Sequence, residues 1–164
     1  MKNGILFSEK QKFTQWWIWL IIIGFDAAYF FVIFQQVFFG VQFGRKPANN
    51  TVLLLSCAVM LIITAIFFFF RLETEIDSYG IHVRFFPFQL SFRHYPWDKI
   101  RNCYVRKYKP IKEYGGWGIR GLGDNRALNM KGNMGIQIEF IDGKRLLIGT
   151  GRFDEVSKIL IGLK

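Results

Sequence analysis

The chain has 164 residues, 51% of them hydrophobic and 19 of them Phe, and carries 22 Lys and Arg against 12 Asp and Glu for a net charge of +10. That length allows one domain, or one small domain with an anchor; two cysteines exclude a disulfide-rich secreted scaffold, and the density of bulky apolar residues excludes disorder. A mean hydropathy of +0.19 sits oddly with so much positive charge, and the two signals separate along the chain: 13 of the 19 Phe precede residue 71, whereas 17 of the 22 Lys and Arg follow residue 70.

From Phe13 to Phe39 there is no Lys, Arg or Glu, and Trp16-Trp17-Ile18-Trp19-Leu20-Ile21-Ile22-Ile23 leads a stretch of 27 residues. At about 1.5 Å per residue this makes a helix of roughly 40 Å, enough to cross a hydrocarbon core of about 30 Å with tilt. Thr51 to Phe70 supplies 20 uncharged residues and the same reading. Between them Gly40, Gly44, Pro47, Asn49 and Asn50 end helices and make turns. Residues 1–71 are therefore expected to form a transmembrane helical hairpin with spans at about 13–39 and 51–70. The first run is too long for the apolar part of a signal peptide, and Asp26-Ala27-Ala28 is a poor cleavage site. Lys2, Lys10 and Lys12 precede the first span, Arg71 and 16 further Lys and Arg follow the second, and the connection holds only Arg45 and Lys46. The positive-inside rule then predicts a multi-pass protein of the inner (plasma) membrane with both termini cytoplasmic. Asn49-Asn50-Thr51 matches a glycosylation acceptor, but where it abuts a span it is read as a helix start capped by Asn50 or Thr51.

Asp26 is the one ionisable group inside either span. An acid at that depth costs roughly 2.5 to 3.5 kcal/mol on insertion scales and calls for a partner or a role. Hairpin symmetry about Arg45 puts it level with Thr64 and Ala65, so either Thr64 donates its hydroxyl or the carboxyl is held protonated. The structural reading of Asp26 and Thr64 is a hydrogen bond pinning the helices, or a contact in a homo-oligomer; the functional reading is ion or proton transfer. Cys57 in the second span reads as a small packing residue.

After Leu72 the pattern turns to alternation. Ile81, Val83 and Phe85 share one strand face, Ile136, Ile138 and Phe140 another, and Asp142-Gly143 makes a hairpin turn into residues 144–149. Further strands are expected at residues 72–77, 90–95, 100–108 and 117–122, about seven antiparallel strands in all. Phe153, Val156, Ile159, Leu160 and Leu163 fall at helical spacing and predict one C-terminal helix. The expected fold class is α+β: the membrane hairpin, then a cytoplasmic antiparallel β-sandwich or partial barrel over residues 72–164.

Two apolar spans, then this run of strands and a terminal helix, with Tyr95-Pro96-Trp97-Asp98-Lys99-Ile100 leading into a basic strand and with Glu113-Tyr114-Gly115-Gly116-Trp117-Gly118-Ile119-Arg120, Gly132-Asn133-Met134-Gly135-Ile136 and Leu147-Ile148-Gly149-Thr150, resembles the bacterial membrane proteins in which a two-helix hairpin anchors a pleckstrin-homology-like domain. The resemblance implies a non-enzymatic, membrane-associated binding module and transfers no catalytic or ligand residue.

Residue chemistry agrees with that implication. Gly116-Trp117-Gly118-Ile119-Arg120-Gly121 matches G-x-G-x-x-G, but no helix pattern follows it, so a bent strand with Trp117 at its rim replaces a dinucleotide site, and no cofactor is expected. His82 and His94 stand 12 apart, Cys103 stands alone, and no metal-ligand spacing occurs. The suggestive feature is basic: Arg101, Arg106, Lys107, Lys109 and Lys112, with Tyr104, Tyr108 and Tyr114 interleaved and Trp117 and Arg120 nearby, in a region from Arg71 onward whose net charge is +7. Tethered at the inner leaflet, these residues are candidates for binding an anionic lipid headgroup, a peptide or a protein partner. The bland reading of the same charges is a topology signal, and nucleic acid is disfavoured for want of a recognition helix. The competing function is a small accessory subunit of a membrane transport or assembly complex working through the hairpin and Asp26.

Overall fold

The computed structural model describes residues 4–41, 48–121 and 123–163. Lys2, the connection carrying Arg45 and Lys46, and Leu122 at the expected end of one strand lie outside the described residues. Two compact units are present: Thr14–Phe69, and the described residues on either side of it.

The first unit is a helical hairpin, α1 (Trp16–Phe39) and α2 (Asn50–Phe69). At about 1.5 Å per residue the helices run roughly 36 and 30 Å. Ile33, Gln36 and Leu53 are their buried residues, while most of the Leu, Ile, Phe and Trp side chains stand exposed. A helix from a soluble core would be covered by its neighbours; these are two helices long and apolar enough to cross a membrane. α1 stops at Gly40, whose φ of 67° is open to glycine without strain and lets its N–H reach the Gln36 carbonyl at 3.2 Å. α2 is capped by Asn49, whose Oδ1 accepts the Val52 N–H at 2.8 Å. This corrects the expected cap at Asn50 or Thr51. Asn50 is occupied elsewhere, since its Oδ1 accepts from Gln36 Nε2 at 3.1 Å and so ties the two helices together. Trp19 meets Phe68 edge-on near the other end, with ring centroids 6.0 Å apart.

The second unit holds two sheets, two α-helices and a short 3-10 turn (Trp97–Lys99) among the described residues. One sheet is an antiparallel meander of β1 (Phe7–Lys12), β2 (Arg71–Ile76), β3 (Gly80–Phe86) and β4 (Arg93–Pro96), in that order. The other contains β5 (Ile100–Lys107), β6 (Gly118–Arg120), β7 (Asn125–Asn129), β8 (Met134–Phe140) and β9 (Arg145–Gly149), in the spatial order β5-β8-β9-β7-β6. The short helix α3 (Pro110–Tyr114) follows β5, and α4 (Phe153–Gly162) ends the described chain. Leu72, Ile76, Ile81, Val83 and Phe85 from the first sheet form one core with Ile136, Ile138, Leu146 and Ile148 from the second and Val156 and Leu160 from α4. Leu147 points to the other side of β9, where it joins Tyr108 and Ala127 in a second cluster. The unbroken apolar run in β9 thus reflects a strand buried on both faces.

Three expectations change. The described residues hold nine strands where about seven were expected, and β7 pairs with β9 in parallel, so the fold is mixed and the sheets do not close into a barrel. A helix, α3, interrupts the expected all-strand stretch. Most consequential, the expected division at residue 71 moves, because β1 belongs to the sheet. Phe7, Glu9 and Gln11 face inward on β1, a set with only one apolar member, so hydrophobic alternation could not reveal it. Polar bonds hold that strand instead. Gln11 Nε2 donates to the Gly149 carbonyl at 2.7 Å, and the Glu9 carboxylate accepts from Thr150 Oγ1 at 2.6 Å and Gly151 N at 2.9 Å. Arg152 Nη1 donates to the Ser8 carbonyl at 2.8 Å and its guanidinium lies over the Phe7 ring.

Phe7 is 2% exposed within the main core. Phe7→Ala should cost about 3–5 kcal/mol, seen as a loss of more than about 10 °C in the melting temperature of the sheet unit. Differential scanning fluorimetry on the full chain in detergent checks this, and an unchanged transition would mean that β1 is dispensable.

Candidate functional site

The basic strand delivers its residues to different places. β5 rises about 3.3 Å per residue, so Arg101 lies roughly 20 Å from Lys107; Arg101 is exposed and its Nη2 donates to the Ile141 carbonyl at 3.1 Å. Arg106 is drawn into the protein. Its Nε donates to Gln137 Oε1 at 3.0 Å and its Nη2 pairs with Glu113 Oε2 at 2.8 Å, close to the Tyr114 hydroxyl. Burial disfavours the Arg106 cation, yet the Glu113 bond and charge outweigh it and raise the pKa. Arg106 is a fixed fork in a network, with its donors directed inward.

Lys107, Lys109, Lys112 and Trp117 do converge. They line one groove of about 680 Å³ together with Tyr108, Pro110, Ile111, Glu113 and Asn133. α3 builds its wall: Pro110 stands at the first helical position, where a missing N–H costs nothing, and Gly115, with φ of 71°, ends the turn by donating to the Ile111 carbonyl at 3.0 Å. The Glu113 carboxylate accepts the Lys109 backbone N–H at 2.7 Å. That bond and the Arg106 bond stabilise the ionised form, holding the Glu113 pKa below the usual range, with the Arg106 bond the larger cause. The floor is rigid. Tyr108 is buried, which pushes its hydroxyl pKa up, and Asn129 Nδ2 donates to that hydroxyl at 3.0 Å while Asn129 Oδ1 accepts the Gly118 N–H at 2.9 Å. Trp117 Nε1 donates to the Gly132 carbonyl at 3.1 Å, and Arg120 Nε reaches the Trp117 carbonyl at 2.7 Å. The groove therefore offers an apolar wall, with Ile111 exposed on it, beneath three lysines.

Pro110, Ile111 and Asn133 escaped the sequence reading. The signal for α3 was present, a Pro at its start and Gly115-Gly116 at its end, but a single turn is too short to show periodicity. Gly116, Gly118 and Gly121 all have positive φ, and a Cβ on Gly121 would sit 2.0 Å from the Asn125 carbonyl oxygen. The G-x-G-x-x-G match thus runs through β6 to Gly121 and is followed by β7, with no helix start after it to meet a phosphate.

In the hairpin, Thr64 Oγ1 donates to the Asp26 carboxylate, 3.0 Å from Oδ2 and 3.3 Å from Oδ1. Tyr29 and Ser56 are hydrogen-bonded further along, and Gln36 Nε2 donates to the Ala48 carbonyl at 2.7 Å. The ladder satisfies the polar side chains between the helices. His82 and His94 are cross-strand neighbours with rings 4.4 Å apart, and His82 Nε2 lies 3.0 Å from Asp77 Oδ2. Among the described residues no three His, Cys, Asp or Glu side chains gather as a metal site would require. No family model, curated protein or solved structure matches the chain.

Glu113→Ala should raise hydrogen exchange at the Lys109 amide about tenfold at neutral pH, the worth of one charge-assisted bond. Because the folded-state pKa of Glu113 is lowered, its contribution is complete above the ordinary carboxylate value of 4.5 and is lost as pH falls through the lowered value. The Lys109 amide resonance, followed through an acid titration, should therefore hold steady down to that value and shift below it.

Proposed function

We propose that this protein is a non-enzymatic, membrane-anchored binding module. α1 and α2 cross the inner membrane with both termini cytoplasmic, and the sheet unit is a pleckstrin-homology-like sandwich that takes an anionic ligand in the groove beside α3. That ligand is an acidic peptide or protein segment, or an anionic lipid headgroup. The observation that carries the reading is the convergence of Lys107, Lys109 and Lys112 on an apolar groove whose one acid, Glu113, is already neutralised by Arg106. Two sheets about one core with a C-terminal helix support the domain type. The linkers support the anchoring: three residues join β1 to α1 and one joins α2 to β2. Lysine is suited to the task, since its stem packs on the apolar wall while its ammonium stays mobile in water.

A photoreactive amino acid at Ile111, activated in native membranes and read by mass spectrometry, should yield an adduct with an acidic polypeptide or an anionic phospholipid. Replacing Lys107, Lys109 and Lys112 by Gln should reduce capture about 100-fold, at roughly 1 kcal/mol per cation. Asp26→Asn should leave capture unchanged, because an amide oxygen still accepts from Thr64. An adduct indifferent to the lysines would defeat the groove, and loss of capture on Asp26→Asn alone would favour an accessory subunit working through the hairpin.

A further inference from the structure

The register of the first sheet aligns Lys12, Arg71 and Phe86 as direct partners across β1, β2 and β3. The β3–β4 loop, residues 87–92, therefore leaves the sheet at the end where the chain departs toward α1 and returns from α2. That loop is unusually apolar at its tip: Phe88 is 66% exposed and Leu90 is 75% exposed. An aromatic chain leads to it from the two connections, with Phe13 against Phe70 at 6.1 Å and Phe70 against Phe88 at 5.3 Å between ring centroids.

Three hydrogen bonds tie the loop back to β3. Gln89 N donates to the Phe85 carbonyl at 2.9 Å, Gln89 Oε1 accepts the Phe85 N–H at 3.2 Å, and Arg84 Nη1 donates to the Leu90 carbonyl at 3.1 Å. Four cations lie at its base, two of them, Arg71 and Arg84, paired with Glu73. The Arg71 guanidinium lies 4.2 Å from the Phe86 ring centroid and that of Arg84 lies 4.6 Å from Phe92, with Lys12 and Arg93 exposed alongside. From Ser78 to Trp97 the sequence has no acid.

We infer that the β3–β4 loop is an interfacial wedge. Phe88 and Leu90 sink into the acyl boundary of the leaflet that the hairpin enters, and Lys12 and Arg93 sit at the depth of anionic headgroups. The occupant is lipid, because Phe88 packs on Phe70 beside Phe13, the residues of this unit that adjoin the two apolar segments along the chain, and the exposed charges beside the loop, Lys12 and Arg93, are positive; the arrangement matches the apolar and basic division of membrane-surface segments. The inference rests on the reading that α1 and α2 cross a membrane.

The full chain, with Cys57 and Cys103 replaced by Ser, is reconstituted in nanodiscs containing phosphatidylglycerol and spin-labelled singly through Leu90→Cys, Tyr79→Cys or Ile62→Cys. Tyr79 is 61% exposed in the β2–β3 turn at the opposite end of the same sheet, and Ile62 is exposed on α2. Power-saturation depth measurements should place the Leu90 label about 5–10 Å below the phosphates, the Ile62 label deeper and the Tyr79 label in water. A Leu90 label as accessible to aqueous relaxant as Tyr79, with Ile62 in lipid, overturns the wedge and leaves the spanning reading standing. An aqueous Ile62 label overturns both.

Discussion

Everything in this molecule hangs on the antiparallel ladder between β1 and β2, which pairs Lys12 with Arg71 and leaves 58 residues between them. Closing a flexible loop of that length costs about 3–4 kcal/mol beyond its constant term, comparable to what burial of one large aromatic such as Phe7 returns. An ordered helical hairpin changes that balance, because antiparallel helices bring their own outer ends together before the strands pair. The hairpin and the sheet are thus coupled through topology as well as through covalent bonds. β1 in turn is fixed by Glu9, Gln11 and the Ser8 carbonyl to the segment between β9 and α4, so the two chain ends close the same domain.

The two units solve the problem of polar groups in different ways. Between α1 and α2 polar side chains bond across to the other helix: Asp26 with Thr64, Tyr29 with Ser56, Gln36 with Asn50. Such bonds are worth only about 0.6–1.7 kcal/mol each in a bilayer, and their larger role is to set the register of the helices. In the sheet unit Glu73 is the corresponding node. Partial burial would raise its pKa, but its bond to Arg84 and the charges of Arg84, Arg71 and Lys10 outweigh that and hold it ionised across β1, β2 and β3.

Positive charge is likewise divided by chemistry. Arginines 84, 106 and 152 are spent on carboxylates, carbonyls and aromatic faces, where a planar fork with several donors gains most. The groove lysines have no comparable internal duties and remain on a wall of Pro110, Ile111 and Trp117. A count of cations along β5 treats Arg106 and Lys107 alike; their neighbours separate a structural pin from a surface charge.

The sequence by itself determined the two apolar helices, seven of the strands, the Asp142-Gly143 turn and the C-terminal helix, because each is written in local periodicity or in the residues that turns demand. It also placed Thr64 level with Asp26, since a hairpin of two regular helices fixes depth by residue count alone. What tertiary structure alone decided was β1, whose inward residues are mainly polar and find their partners at Gly149, Thr150 and Gly151, far along the chain. The parallel pairing of β7 with β9 and the gathering of Lys107, Lys112, Trp117 and Asn133 around one groove were decided there too. Periodicity reports which face of an element is apolar; which elements share a face, and which cations are already paired, depends on contacts between residues that no local pattern links.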